Sequence, residues 1–400
     1  MRIGHFVPMI ACKPGFERNV SGHAQAPLRA ADLQSAAGHD VHLITTQPGP
    51  DRPALPHCLP REAPLHYVAD ARKRTIVRDG VGGHSKGLRA SRLHAVVKDI
   101  KRIAREQDLQ VLHFHGYNLT ACLAGAVRLA GLRVPTVASV LGLNDRIAPM
   151  RVFERSLMRR ANALTVATEY GARRLRQAGL EAEVIHWGPI RDLREELDGP
   201  IPQKRSRVLY WRDPSRENGA DIARDAFDAI APAHPDLSFE FAVRPHWKEV
   251  EGLESLAQRH ENVHVHRFPY QPGVSLANLV FEAALVVMPF RQMSIDPQLV
   301  ILESLAAGAP VLASDMRSNS EVIRAGVTGD LAPVGDVDVT KQRLAALLND
   351  RARLAKMSAD AVIDIKLRWN WQRYVQESIA LYERVLQRGS RRADASRTRS

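Results

Sequence analysis

The sequence predicts an α/β protein made of two doubly wound, Rossmann-like domains facing a central cleft. Three observations carry that expectation. Strand-like and helix-like stretches alternate along nearly the whole chain, the pattern of parallel sheets with helices on both faces. The alternation breaks once, in the proline- and charge-rich PIRDLREELDGPIPQKRSR after Gly188, and then restarts. The length, 400 residues, exceeds what one hydrophobic core ordinarily serves.

Taken in order, RIGHFVPM reads as the first strand, PLRAADLQSAAGHD as a helix ending at Gly38, and VHLITT as the next strand. The amphipathic LHAVVKDIKRIAREQ feeds the strand VLHFHG, and a helix near TACLAGAVRLAG leads to the strand TVASVLG. A helix over MRVFERSLMRRA, the strand ALTVAT, a helix over YGARRLRQAG and the strand EVIHWG complete the first unit. After the break come VLYW, a helix over GADIARDAFDAIAPAH, the strand FEFAV, the helix LESLAQRH and the strand VHVHRF. The expected division is an N-terminal domain over 1–188, a connection over 189–206 and a second domain over 207–366. A closing helix covers 367–388, and the tail over 389–400 is basic, small and polar, a composition that favours disorder. In paired sheets of this kind ligands bind at the carboxyl ends of the strands.

The richest segment runs from Val286 to Asp315, VVMPFRQMSIDPQLVILESLAAGAPVLASD, and reads as strand, loop, helix and strand. Asp296 can cap a helix whose first position is Pro297, where the missing N–H costs nothing and φ is already helical. LVILESLAA continues the helix, Gly308 supplies a left-handed stop, and APVLASD follows as a short apolar strand. A helix opening at a strand end offers N–H groups and a positive dipole end to an anion such as a diphosphate. Glu303 lies on that helix, where a carboxylate ordinarily faces solvent.

Composition sets the class. A hydrophobic fraction of 45% and a charged fraction of 25% are those of soluble globular domains. No apolar run approaches the roughly 20 residues that cross a bilayer, and RIGHFVPMI is too short for a signal peptide's apolar region, so a cytoplasmic location is expected. The three cysteines, Cys12, Cys58 and Cys122, are odd in number and far apart, which suggests neither a disulfide framework nor a metal site. HFH at His113 and His115 and HVH at His264 and His266 lie on predicted strands without an HExxH helix, so no metal is expected. The net charge of +12 attracts anionic partners: nucleic acid, a membrane surface or anionic substrates. Much of it sits between Arg72 and Arg105 and in RVFERSLMRR from Arg151 to Arg160, where the alternative is a solvated helix face. No base-reading motif accompanies the charge, so no specific nucleic acid is expected.

The ordered motifs resemble the retaining family 4 glycosyltransferases, which have the GT-B fold. ESLAAGAPVLASD is similar to the family's segment after its carboxylate pair, and AGVTGDLAPVGD to the stretch that follows. AAGHDVHLITT, LHFHG and LTVAT resemble its N-terminal elements, and RWNWQRYVQESIALYERVL its closing aromatic signature and last helix, which crosses back to the N-terminal domain. The resemblance implies sugar transfer from a nucleotide-sugar donor to an acceptor, with retention of configuration, no metal and no cofactor. The donor is implied to sit mainly on the C-terminal domain.

Residue by residue, Glu303 matches the second carboxylate of the family's pair and is implied to contact the ribose. The first carboxylate's place falls on Ile295, with the acid one residue later at Asp296, which is either a sugar contact or only the helix cap. Arg212 in YWRDPSRENGAD resembles the family's phosphate-binding arginine, whose guanidinium can grip two phosphate oxygens and neutralise a departing diphosphate. Asn218 stands where the partner lysine is usual, and Arg216 and Arg244 are further cations. Pro297, Gln298 and Leu299 open the helix and are implied to line the donor, with the amides of the helix's first turn as donors to it. In the N-terminal domain the glycine-rich turn is represented by the separated Gly15 and Gly22, which are either donor-approaching backbone or ordinary loop glycines. SVLGLND lacks the family's histidine and offers Asn144 and Asp145 instead, while His115 is either a sugar or phosphate contact or a packed histidine. The departures at Ile295, Asn218 and Leu141 leave open a nucleotide-sugar-binding protein without catalysis. The basic N-terminal helices suggest a lipid-linked or polymer acceptor and peripheral association with the inner face of a membrane.

Overall fold

The structure is a computed structural model, and it describes residues 1–12, 14–15, 17, 22–49, 53–69, 93–142, 152–197, 199–202, 205–243, 250–293 and 295–397, with side chains as far as 388. The chain divides into two compact units, Met1–Trp187 together with Trp371–Ser400, and Gly188–Asn370.

The first unit holds strands β1 (Arg2–Phe6), β2 (Asp40–Thr46), β3 (Leu65–Val68), β4 (Val111–Gly116), β5 (Thr136–Val140), β6 (Ala163–Val166) and β7 (Glu183–Val184). They form one sheet in the order β3-β2-β1-β4-β5-β6-β7 with parallel neighbours throughout. Its helices are α1 (Gly22–Ala36), α2 (Leu93–Glu106), α3 (Asn118–Leu129), α4 (Val152–Met158) and α5 (Glu169–Gln177). The central strands β4 and β5 are buried at every position, as expected where helices cover both faces. Phe6, Phe114, Ile100, Val127 and Leu175 belong to the core on one of those faces. The edge strand β3 went unread in the sequence because LHYV is short and follows a proline-rich stretch. Helix α1 opens at Gly22, five residues before the expected start, and tolerates Pro27 inside it.

The second unit holds β8 (Arg207–Tyr210), β9 (Ser238–Val243), β10 (Val263–Arg267), β11 (Ala283–Met288), β12 (Val311–Ser314) and β13 (Gly329–Ala332). Their order is β10-β9-β8-β11-β12-β13, again parallel. The helices are α6 (Ala220–Ile230), α7 (Val250–Arg259), α8 (Leu276–Phe281), α9 (Leu299–Ala306), α10 (Asn319–Val322), α11 (Val337–Asn349) and α12 (Arg351–Arg368). The chain winds outward from β8 to β10, then returns to place β11 on the other side of β8. That reversal opens a crevice at the carboxyl ends of β8 and β11, the position where open α/β sheets bind ligands. Gly219, with φ of +78°, makes the turn there possible: a Cβ on it would stand 1.9 Å from the Pro289 carbonyl oxygen just past β11.

Helix α13 (Trp371–Arg397) belongs to the first unit. It is joined there by Gln34, whose Nε2 donates to Ser378 Oγ at 3.0 Å and Tyr382 Oη at 3.3 Å. Backbone helix continues to Arg397, so the residues from 389 expected to be disordered are helical as far as that point. The arginines and alanines of RRADASR are adequate helix formers with no proline among them.

Candidate active site

Arg212 is placed by strand β8. The strand ends at Tyr210, Trp211 is nearly buried with 7% of its surface exposed, and Arg212 follows at the mouth of the crevice. The Arg212 Nε is inaccessible and has no hydrogen-bond partner, and among the described residues the guanidinium forms no contact ion pair. A half-buried cation with no contact ion pair among the described residues is poised for an anionic ligand. The backbone on its far side is held by the Asp213 carbonyl, which accepts from Tyr210 Oη at 3.0 Å and from Asn218 Nδ2 at 3.1 Å. Asn218 Nδ2 also donates to Ser215 Oγ at 3.0 Å. Asn218 therefore braces the Arg212 turn rather than offering its amide to a donor. Arg216 is exposed at the start of a short 3-10 turn, Arg216–Asn218, and its carbonyl accepts from Arg291 Nη1 at 3.1 Å.

Glu303 lies midway along α9 and is buried, with 4% exposure, so the solvated alternative does not hold. Its Oε1 accepts the backbone N–H of Arg191 at 3.2 Å. Burial pushes its pKa from 4.5 up to about 7, against the opposing fields of Arg191 and Arg212. The Arg191 side chain turns to Glu196, with Nε to Oε1 at 3.1 Å. Arg191 was missed in the sequence because it falls in the stretch read as a connection. The clue available was the charge density of RDLREE, which a solvated linker explains equally well.

Asp296 does not cap the helix. Helix α9 begins at Leu299 with Gln298 in the cap position and no side-chain cap bond. The Asp296 carboxylate instead accepts Ser318 Oγ–H at 2.6 Å and lies 3.5 Å from Arg317 Nη1, all three groups being buried. A carboxylate drawn into that pair cannot reach back to the first turn, and Pro297 consequently precedes the helix instead of opening it. Gln298 donates its Nε2 to the Ile295 carbonyl at 3.1 Å, while its buried Oε1 has no partner among the described residues. Gly308 closes the helix in the left-handed conformation as expected, with φ of +75°.

In the first unit Gly22 is the first residue of α1. His115 is in the core: His5 Nε2 donates to Gln34 Oε1 at 2.8 Å, which leaves His5 Nδ1 to accept from His115 Nε2 at 2.8 Å. Gln34 also donates to Tyr382 Oη, so the phenol donates to His113 Nδ1 at 2.6 Å, and His113 Nε2 donates to Ser139 Oγ at 2.7 Å. Burial lowers His5 to about 4 and holds His113 and His115 well below the usual histidine range, so all three rings are neutral. Among the described residues these histidines are the group with metal-ligand spacing, their ring nitrogens lying within 4.8 Å of one another. Their hydrogen bonds to each other and to Gln34, Tyr382 and Ser139 already account for them, and His115 is a packed histidine. Asn144, Asp145 and Arg244 lie outside the described residues.

Comparison with known proteins decides the family. Residues 20–189 match the family described as Glycosyltransferase Family 4, and residues 206–350 match Glycosyl transferases group 1. The chain belongs to the family 4 glycosyltransferases. This glycosyltransferase is 25% identical to a phosphatidyl-myo-inositol mannosyltransferase of Mycobacterium leprae, over 98% of this chain and 99% of the relative. A D-inositol 3-phosphate glycosyltransferase of Nocardia farcinica is 38% identical over 94 residues, 24% of this chain and 20% of that one. Among solved structures, sucrose-phosphate synthase from Thermosynechococcus elongatus aligns with a TM-score of 0.70 at 17% identity, covering 97% of this chain and 99% of that one. The Anabaena protein HepE in complex with UDP aligns with a TM-score of 0.69 at 16% identity, covering 96% and 100%. The fold of the glycosyltransferase is thus GT-B, built of the two parallel-sheet units described above.

Proposed function

We propose that the glycosyltransferase moves a sugar from a nucleotide-sugar donor, held by the second unit, to a lipid-linked acceptor, with retention of configuration and without a protein-bound metal. The observation that carries this reading is the half-buried Arg212, its Nε unpartnered among the described residues, at the carboxyl end of β8 and within the electrostatic reach of buried Glu303. Arg212 stabilises the charge that develops on the departing diphosphate. Glu303 accepts the ribose hydroxyls, and Gln298 Oε1, beside the amides opening α9, accepts a hydroxyl of the sugar. The C1–O bond to phosphate breaks with its electron pair going to the phosphate oxygen. The acceptor oxygen bonds to C1 on the same face, and its proton passes to the departing phosphate. No protein nucleophile is required.

A lipid-linked acceptor is supported by the phosphatidyl-myo-inositol mannosyltransferase relatives, which match nearly the whole chain. Because those relatives are named as enzymes, a binding protein without catalysis is the weaker reading. Among the described residues no helix is long and apolar enough to cross a membrane. Helix α2 buries Val96, Ile100 and Ile103 and carries Lys98, Lys101, Arg102 and Arg105 against Asp99 and Glu106, both of which pair with Arg102, a net basic exterior suited to anionic headgroups in peripheral association.

The deciding experiment is nucleotide release by the purified protein with uridine, guanosine and adenosine diphosphate sugars and an inositol-phospholipid acceptor. Release with one donor, and a product whose anomeric proton coupling matches that of the donor, supports the proposal. No release and no nucleotide binding would sink it, and an inverted product would remove the retaining mechanism alone.

A further inference from the structure

We infer that Trp211 and Ser304 are a positioning pair that sets where Arg212 stands relative to Glu303. The inference rests on the donor-site reading above and concerns how that site is assembled. Trp211 and Arg212 are consecutive at the end of β8, and Glu303 and Ser304 are consecutive on α9. Trp211 Nε1 donates to Ser304 Oγ at 2.9 Å, so a single hydrogen bond ties the segment bearing the cation to the helix bearing the carboxylate. The acceptor is immobilised in turn, because Ser304 donates its own hydroxyl proton to the Val300 carbonyl at 2.6 Å. Ser304 is fully buried and Trp211 nearly so, which makes the bond one that water does not replace.

Two further observations make the tie matter for Arg212. Among the described residues the Nε of its guanidinium has no hydrogen-bond partner, so the braced backbone is the held part of this residue. That backbone is braced on its other side through the Asp213 carbonyl, which Tyr210 and Asn218 both bond. The Trp211 bond completes the bracket. Helix α9 is itself short and has no side-chain cap, so fixing Ser304 also fixes the turn that presents Glu303. Such a support does not touch substrate. It acts by holding an electrostatic group where charge develops, and its loss is felt in turnover more than in binding.

The test is a double-mutant cycle on the full chain with Trp211→Phe, which keeps an aromatic ring but lacks the donor, and Ser304→Ala. Each variant is expected to lower kcat about tenfold with the donor KM within about twofold. The double variant should lose no more than either single one, because one bond is removed in all three. The acidic limb set by Glu303 in the kcat/KM profile, where activity rises as the carboxyl loses its proton, should move to higher pH, because a displaced Arg212 holds the carboxyl down less strongly. Ser304→Thr retains an oxygen for the indole N–H and should recover turnover if its melting temperature stays near that of wild type. Wild-type kcat in either folded single variant, losses that multiply in the double variant, or a change confined to KM would each overturn the inference. Failure of the donor-site reading looks different: the wild type itself binds no nucleoside diphosphate in calorimetry, and both conclusions then fall together.

Discussion

Replacing Glu303 with glutamine removes the titration of one buried carboxyl while keeping an oxygen for the Arg191 N–H. Burial raises the folded pKa from 4.5 to about 7, a difference worth roughly 3 kcal/mol at about 1.4 kcal/mol per decade. Because folding raises this value, the unfolded chain loses its proton first. The stabilising contribution is whole below pH 4.5, erodes as pH rises, and is gone above about 7. Between pH 6 and 8 the loss comes to about 1 kcal/mol. Urea unfolding should therefore show wild type weakening relative to Glu303→Gln by that amount across the window. Nucleotide binding should run the other way. A ribose contact through the ionised carboxylate strengthens as Glu303 loses its proton, by about tenfold in Kd from pH 6 to pH 8. The nucleotide's terminal phosphate titrates in the same range, and calorimetry on wild type and Glu303→Gln side by side separates the two. Equal pH slopes for the two proteins in both assays would refute the assignment of a near-neutral pKa to this group.

Arg212→Ala should reduce kcat by about 10²- to 10³-fold in steady-state assays, and Arg212→Lys should recover only part, since a point charge replaces a planar fork. Asp296→Ala deprives buried Arg317 of its carboxylate neighbour and Ser318 of its acceptor, and is expected to cost about 3 kcal/mol by urea unfolding, with Asp296→Asn milder. Tyr382→Phe takes away the hydroxyl that both His113 and Gln34 use, at about 1–3 kcal/mol, and limited proteolysis should then cut within α13 sooner than in wild type.

The alternation of strands and helices was readable because both sheets are parallel and covered on two faces, which leaves continuous apolar runs such as AALVVM. The stop at Gly308 was readable for a local reason too, since a left-handed residue needs nothing beyond its own backbone. What could not be decided locally were roles that depend on distant partners. Asp296 has the sequence context of a helix cap, but Ser318 and Arg317, some twenty positions further on, take its carboxylate. Of the two roles open to His115 at its strand end, packing is the one its surroundings support, because His5, 110 positions away, takes its ring nitrogen. Asn218 is the local exception: it stands where a lysine is usual, and its partners Asp213 and Ser215 lie only five and three positions back. Glu303 was identified from resemblance, yet its burial and its Arg191 contact across 112 positions were invisible, because helix α9 is apolar on nearly every side and gave no face to read.

The first unit is written in the chain as two pieces, with Gly188–Asn370 between them. A ribosome therefore finishes the whole of the second unit before it adds the last part of the first. Until residues 378 and 382 are made, Gln34 lacks its serine and tyrosine partners and His113 lacks its phenol, in a core where such groups are costly to leave bare. Folding during synthesis thus cannot complete in order from the N-terminus. The nascent first unit waits, partly assembled and open to chaperones, and becomes whole only when its final helix arrives.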